Sequence, residues 1–293
     1  MGFGPHLLLA VLEGLVTSAV LALTALGLSL VFGVMRVVNV AHGELFMLGA
    51  VLAWAVATAV GGSPVLGFAA ALVIAPLIVG AVAVLAERLV LRRVEYDPEA
   101  TIVATIGLLY IIQQLALTFY GADARPVPPP FNMRLALPWF GYSAYKLSIV
   151  GASALLLLIS WLVLTRTRAG LVMRATQYDR ETAQAFGIPV ERVYAAVFAI
   201  GAMLAAIAAV LIVPISQAHY LMGQDPLLLS FAVVIIGGLG SLRGTVVAAL
   251  LIGVSDGVIS MFFSPTLAKL IATLAVAMVL VFRPQGLFGK AAR

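Results

Sequence analysis

The stretch LLLAVLEGLVTSAVLALTALGLSLVFGVM, Leu7 to Met35, carries one charge, Glu13, in 29 residues. A helix needs about 20 residues to cross roughly 30 Å of hydrocarbon, so this run is long enough to span with residues to spare. Backbone groups in lipid must be paired internally, which makes the run a helix rather than an isolated strand. Further along, Thr101 to Phe119 has no charge at all. Reading outward, the same pattern recurs to the end of the chain, with charges gathered between apolar runs. The fold expected is all-α: a polytopic transmembrane helix bundle of 8–9 spans that includes broken helices.

Composition agrees. Of 293 residues, 63% are hydrophobic and 10% charged. No long polar stretch remains to build a separate soluble domain, so residues 1–293 read as a single transmembrane domain. The formal net charge of +5 sits in short interhelical loops, where it sets orientation and meets anionic lipid rather than nucleic acid. Cysteine is absent, which excludes disulfides and thiolate chemistry. His6, His42 and His219 lie far apart in sequence and no His-Glu-x-x-His occurs, so no metal site and no cofactor is expected. The first run is far longer than a signal-peptide core and has no Lys or Arg before it, so it reads as a retained helix.

The expected spans are 7–35, 40–60, 65–86, 101–120, 147–165, 193–213, 226–240, 244–262 and 266–282. With the N-terminus outside, thirteen Lys and Arg fall in inside loops and four (Arg125, Arg134, Lys146, Lys269) in outside loops. This is a positive-inside bias, and it puts the C-terminus in the cytoplasm. The external loop 121–146 holds five prolines and the aromatics Trp139, Phe140, Tyr142 and Tyr145. It reads either as an ordered cap or as a linker. Glu13, about two turns into the first helix, either snorkels to the outer interface or pairs within the bundle.

Two segments break the pattern. Leu45 to Val60 gives only 16 uncharged residues, about 24 Å of helix. To cross fully it must draw Asn39, His42, Gly43 and Glu44 into the membrane. Leu227 to Ile236 is also short and runs into Gly237, Gly238 and Gly240. Short or glycine-interrupted apolar segments in both halves point to a substrate path built from broken helices; the bland alternative is two interfacial turns. Ionisable His42 and Glu44 at membrane depth are costly and suggest function. They serve either a transported zwitterion or the ordering of a helix end.

The longest internal polar stretch is 166–192. Asp179 is a good N-cap for a helix that begins Arg180-Glu181, and Gly187 with Pro189 supplies the stop, so a short helix is expected over 180–186.

Four stretches in order resemble the permeases of branched-chain amino-acid ABC importers. They are Asn39-Val-Ala-His42-Gly43-Glu44, Asp179-Arg180-Glu181-Thr-Ala183-x-x-x-Gly187-Ile188, Gly237-Gly238-Leu-Gly240-Ser241-x-x-Gly244, and Phe282-Arg-Pro284-x-Gly286-Leu-Phe288-Gly289. The second also resembles the wider importer-permease pattern Glu-Ala-Ala-x-x-x-Gly, with Thr182 in place of the first alanine. The resemblance implies a subunit of a bacterial-type plasma (inner) membrane that carries branched-chain or related amino acids, amides or urea.

It implies four kinds of partner: a second permease, a homologue favoured over a self-copy; two cytoplasmic ATP-binding subunits; an extracytoplasmic solute-binding protein; and membrane lipid. Asp179, Arg180, Glu181, Ala183 and Gly187 then become the ATPase-coupling element, and Asn39, His42, Gly43, Glu44, Gly237, Gly238 and Gly240 the candidate path. The chain has no Gly-x-x-x-x-Gly-Lys-Ser/Thr loop, so it is not expected to power transport itself, and with no nucleophile evident beside His42 and Glu44 it is not expected to be an enzyme. The competing function is an ion- or proton-coupled carrier of a small polar solute.

Overall fold

A computed structural model of the chain describes residues 3–283 and 285–288. Pro284, Gly289, Lys290 and Arg293, part of the terminal motif and of the inside charge set, lie outside them. The elements are α1 (Phe3–Met35), α2 (His42–Val60), α3 (Pro64–Ala86) with a π-helical turn at Glu87–Leu91, and α4 (Pro98–Tyr120). A β-hairpin follows, β1 (Arg134–Ala136) with β2 (Gly141–Ser143), then α5 (Ala144–Arg166), α6 (Arg168–Tyr178) and α7 (Arg180–Ala185). The chain continues with α8 (Val190–Ser216), α9 (Gln224–Gly237), α10 (Leu242–Phe262) and α11 (Pro265–Phe282). Eight helices are long and apolar enough to cross a membrane, and α9, at 14 residues, is shorter. The protein is therefore a polytopic membrane bundle.

Helix α1 is the central post: from Ser18 to Val31 every residue is buried. Small residues let its neighbours approach backbone to backbone, the usual device where lipid offers no hydrophobic drive between helices. A Cβ at Gly27 would strike the backbone of Gly201 in α8, and one at Gly14 would strike Gly253 and Val254 in α10. In α2, a Cβ at Gly49 would strike Ala206 in α8. Hydroxyls along α1 are paired within the protein: Ser18 donates to the Gly14 carbonyl at 2.7 Å, Thr24 to that of Val20 at 2.9 Å, and Ser29 accepts from Thr245 of α10 at 3.0 Å.

The two ends of the bundle differ. One holds Arg36, the π-helical turn, α6, α7 and the α9–α10 turn, and is called here the arginine-rich end. The other holds the β-hairpin and is called the hairpin end. There Arg125 and Ala218 exchange backbone hydrogen bonds at 2.9 Å in each direction. The Arg125 guanidinium stacks over Trp54 and Tyr120, 4.2 and 4.5 Å from the ring centres. The proline-rich loop is thus ordered. Glu13 pairs with Lys146 at 2.6 Å, so it resolves to a partner within the protein.

The first and last parts of the chain repeat one arrangement in opposite directions: a long helix, a short return, a short helix, then two further helices. Both long helices end at a non-glycine residue in the left-handed region, Arg36 at φ 57° and Gln217 at φ 62°. Each of those residues donates its N–H to the carbonyl four back, Phe32 or Val213, at 2.9 Å. The left-handed residue turns the chain sharply, and the next few residues run back into the bundle.

Candidate functional site

The first return fixes how deep the candidate residues lie. His42 Nε2 is 2.9 Å from the Thr24 carbonyl. Thr24 is eleven residues above Met35, about 16 Å along α1. Helix α2 therefore starts inside the bundle and runs only toward the hairpin end. Asn39 and Glu44 are each 1% exposed and His42 is fully buried.

The return is held by a few polar contacts. Asn39 Oδ1 accepts from the Ala41 N–H at 3.1 Å, and Thr105 Oγ1 in α4 accepts from the Val40 N–H at 3.2 Å. Within this return three buried side-chain atoms have no hydrogen-bond partner among the described residues: Asn39 Nδ2, His42 Nδ1 and Glu44 Oε2. Buried polar groups are nearly always paired, and an unpaired set in one turn of chain is what a polar solute needs to find.

The second return meets the first. A Cβ at Gly43 would strike the Gly223 carbonyl and Leu227, and one at Gly223 would strike the Gly43 backbone. The N-termini of α2 and α9 thus abut midway through the bundle and the two helices diverge toward opposite ends. Sequence reading missed Gly223 as the partner of Gly43. It lies in Met222-Gly223-Gln224-Asp225-Pro226, a turn signal just before the short helix.

Gly237, Gly238 and Gly240, expected to be the counterpart of Asn39–Glu44, stand elsewhere. They form the α9–α10 turn at the arginine-rich end. Helix α9 stops at Gly237, before Gly238 at φ 99° and Gly240 at φ 76°. A Cβ at Gly240 would meet Gly33 near the end of α1, and one at Gly237 would strike Gly244. The descending tail docks there, with the Leu287 N–H donating to the Ile236 carbonyl at 2.8 Å. The sequence located the break but not its depth.

At the arginine-rich end, α7 matches the expected short helix. Asp179 Oδ1 accepts from the Thr182 N–H at 3.1 Å and Oδ2 from the Thr182 hydroxyl at 2.6 Å. The side-chain bond and then the backbone bond from Thr182 hold Asp179 below the usual carboxylate range. Gly187 stops the helix at φ 80°, and its N–H donates to the Gln184 carbonyl at 2.9 Å. Ala183 is buried, while Arg180 and Glu181 are exposed. Tyr178 and Phe186 flank the helix at 87% and 83% exposure. The result is a small knob bearing two outward aromatics.

Contacts tie the knob to the bundle. Arg36 donates to the Gln177 carbonyl at 3.3 Å. The Arg180 guanidinium lies 5.6 and 5.7 Å from the Tyr96 and Tyr194 rings, which meet edge to face at 4.7 Å. Tyr96 in turn donates to buried Glu87 at 2.5 Å in the π-helical turn. Burial, and then this bond to Glu87, push the Tyr96 hydroxyl above its ordinary value and keep it a donor. Arg92 bridges the same turn to α8 through Glu191 at 3.1 Å. Neither this linkage nor α6 was read from the sequence.

Comparison with known proteins identifies the family. The family model described as branched-chain amino acid transport system / permease component matches residues 10–282. The chain belongs to this family. It is 25% identical to the high-affinity branched-chain amino acid transport system permease protein LivH of Escherichia coli K12, covering 95% of this chain and 94% of that protein. It is 26% identical to BraD of Pseudomonas aeruginosa, covering 97% and 96%. A probable branched-chain permease of Methanocaldococcus jannaschii is 27% identical over 95% of this chain and 92% of its own length. Among solved structures, PsaBC from Streptococcus pneumoniae in complex with Fab resembles the chain with a TM-score of 0.51 at 14% identity. That match covers 94% of this chain and 92% of that one, and it shows a shared fold.

Proposed function

We propose that the chain is the membrane-spanning permease of an ATP-driven importer for branched-chain or related amino acids, acting as one permease domain. A second, homologous permease, two ATP-binding subunits and an extracytoplasmic binding protein complete the machine. The observation that carries this reading is the buried set Asn39, His42 and Glu44, with partnerless polar atoms, where two half-helices abut.

A zwitterion released by the binding protein needs partners for both its charges. The Glu44 carboxyl offers an acceptor for the ammonium. The Asn39 Nδ2 amide and the positive end of the α2 dipole suit the carboxylate, while His42, whose Nε2–H is donated to the Thr24 carbonyl, presents Nδ1 as a further acceptor for the ammonium. Gly43 allows the two returns to touch. Gly237, Gly238 and Gly240 form the floor of the path at the arginine-rich end.

The orientation follows from charge. Among the described residues, arginines concentrate at the end that carries α7, which is therefore cytoplasmic, with the N-terminus outside. Helix α7, with Asp179, Arg180, Glu181, Ala183 and Gly187, docks on an ATP-binding subunit. Arg180, Tyr96 and Glu87 pass its movement to α3 and α8.

The test is uptake by the reconstituted complex across leucine, valine, urea and short amides, with and without the ATP-binding subunits. ATP-dependent uptake of leucine or valine is expected. Uptake driven by an ion gradient without those subunits would replace this reading with a coupled carrier.

A further inference from the structure

Two cavities run into one another among α1, α5, α6 and α10 near the arginine-rich end. The deeper one has a volume of about 420 Å³ and is bounded by Leu26, Leu157, Val246 and Val247, with Arg243 the one polar residue in its lining. The outer one, about 640 Å³, is bounded by Arg174, Gln177, Ser241 and Arg243. Trp161 and Phe288 border both. No Asp or Glu among the described residues lines either cavity. Neither Arg174 nor Arg243 is in an ion pair among the described residues.

The order of these compartments follows the order of a leaflet. Cations lie at the bundle's end, a tryptophan marks the boundary, and an apolar channel continues toward the membrane centre. Two arginines facing one space, with no acid between them, suit a phosphate group, which the planar guanidinium binds in a forked geometry. A partner helix packing here would gain from the apolar channel and would leave two cations unpaired.

We propose that the joined cavities are a binding site for an anionic phospholipid of the leaflet at this end. Its phosphate sits between Arg174 and Arg243, and an acyl chain lies along Leu26, Leu157 and Val247. The outer cavity also touches Gln177 of α6, whose carbonyl accepts from Arg36. A bound lipid therefore braces the helix that leads into α7. That consequence rests on the proposed role of α7, whereas the binding site does not.

The experiment is thermal melting of the full-length protein in detergent with phosphatidylglycerol, phosphatidylcholine or inorganic phosphate added. Phosphatidylglycerol near-saturating the site is expected to raise the melting temperature by about 5 °C. Phosphatidylcholine and inorganic phosphate are expected to give little. The Arg174→Gln/Arg243→Gln variant should lose the gain through the head, and Val247→Trp should lose it by filling the channel while both arginines remain. An equal rise with phosphatidylcholine, or with inorganic phosphate alone, would overturn the proposal. So would an undiminished phosphatidylglycerol response in Val247→Trp, the variant that keeps the charges and is read if the double variant does not fold. Because melting involves no transport, a negative result leaves the permease reading standing.

Discussion

The two returns use one backbone device and carry different side chains. Each follows a left-handed non-glycine residue and ends in a half-helix. The first buries Asn39, His42 and Glu44 almost completely. The second leaves Gln224 and Asp225 exposed, and Asp225 pairs with Lys269 at 2.7 Å near the start of α11. Backbone geometry is therefore enough to bring two half-helices together, but only one return commits ionisable groups to the interior. An unpaired ionisable group at that depth is costly and needs a functional reason, whereas Asp225, at the start of α9 and at a similar depth, has its charge compensated by Lys269.

The comparison can be broken most forcefully at the point of contact. Gly43→Val and Gly223→Val each push a side chain into the opposite backbone. Overpacking of this kind costs about 1–3 kcal/mol or more. Both variants should lose folded protein, seen as a drop in the monodisperse peak on size-exclusion chromatography. Equal yields to the parent would mean the half-helices do not abut.

A smaller effect is expected at the knob. Gly187→Leu places a side chain at φ 80°, which costs about 1 kcal/mol. The variant should insert normally yet hydrolyse ATP without matching uptake, and Glu181→Arg should behave likewise. Substrate-stimulated hydrolysis with full uptake in both would remove α7 from the coupling role. The chain has no cysteine, so single cysteines at exposed Ala122 and Gln184 report sidedness directly. Ala122→Cys should label from outside and Gln184→Cys only from inside.

The smallest effect concerns pH. Hydrogen bonds from Thr182 hold Asp179 below its unfolded value. Its contribution to α7 is thus fully present above the unfolded value and is lost as pH falls through the folded one. Coupling should be flat from about pH 6 to 8, so far as Asp179 governs it, and weaken only in acid. Thr182→Ala should move the onset of that loss to higher pH.

Much of this was legible in the sequence because lipid leaves few choices. Long apolar runs such as Leu7–Met35 must be helices, and the capping residue Asp179 with the stop at Gly187 delimits α7 in plain view. Depth was legible for one return and not for the other. The run Leu45–Val60 is too short to cross, which pulled Asn39–Glu44 inward correctly. The short α9 is preceded by the turn signal Met222–Pro226, but the glycine cluster at its far end is the stronger break in the sequence and masks it. Helix α6 escaped notice because Arg168–Tyr178 has only three buried residues, Gly170, Met173 and Thr176, too few to print an apolar stripe. The β-hairpin was hidden among prolines, and its order depends on Arg125 and Ala218, 93 positions apart.

The claim that the first return carries the path, and the second does not, is tested most directly by uptake per assembled complex for Glu44→Gln against Asp225→Asn. Both changes remove one carboxylate at nearly constant shape. The account predicts that Glu44→Gln lowers leucine or valine uptake by about tenfold or more, a barrier change of roughly 1.4 kcal/mol, at unchanged assembly. It predicts that Asp225→Asn stays within about twofold of the parent, because the Asp225 carboxylate is engaged by Lys269 rather than left without a partner. Parent-level uptake by Glu44→Gln, alone and together with His42→Ala, would contradict it.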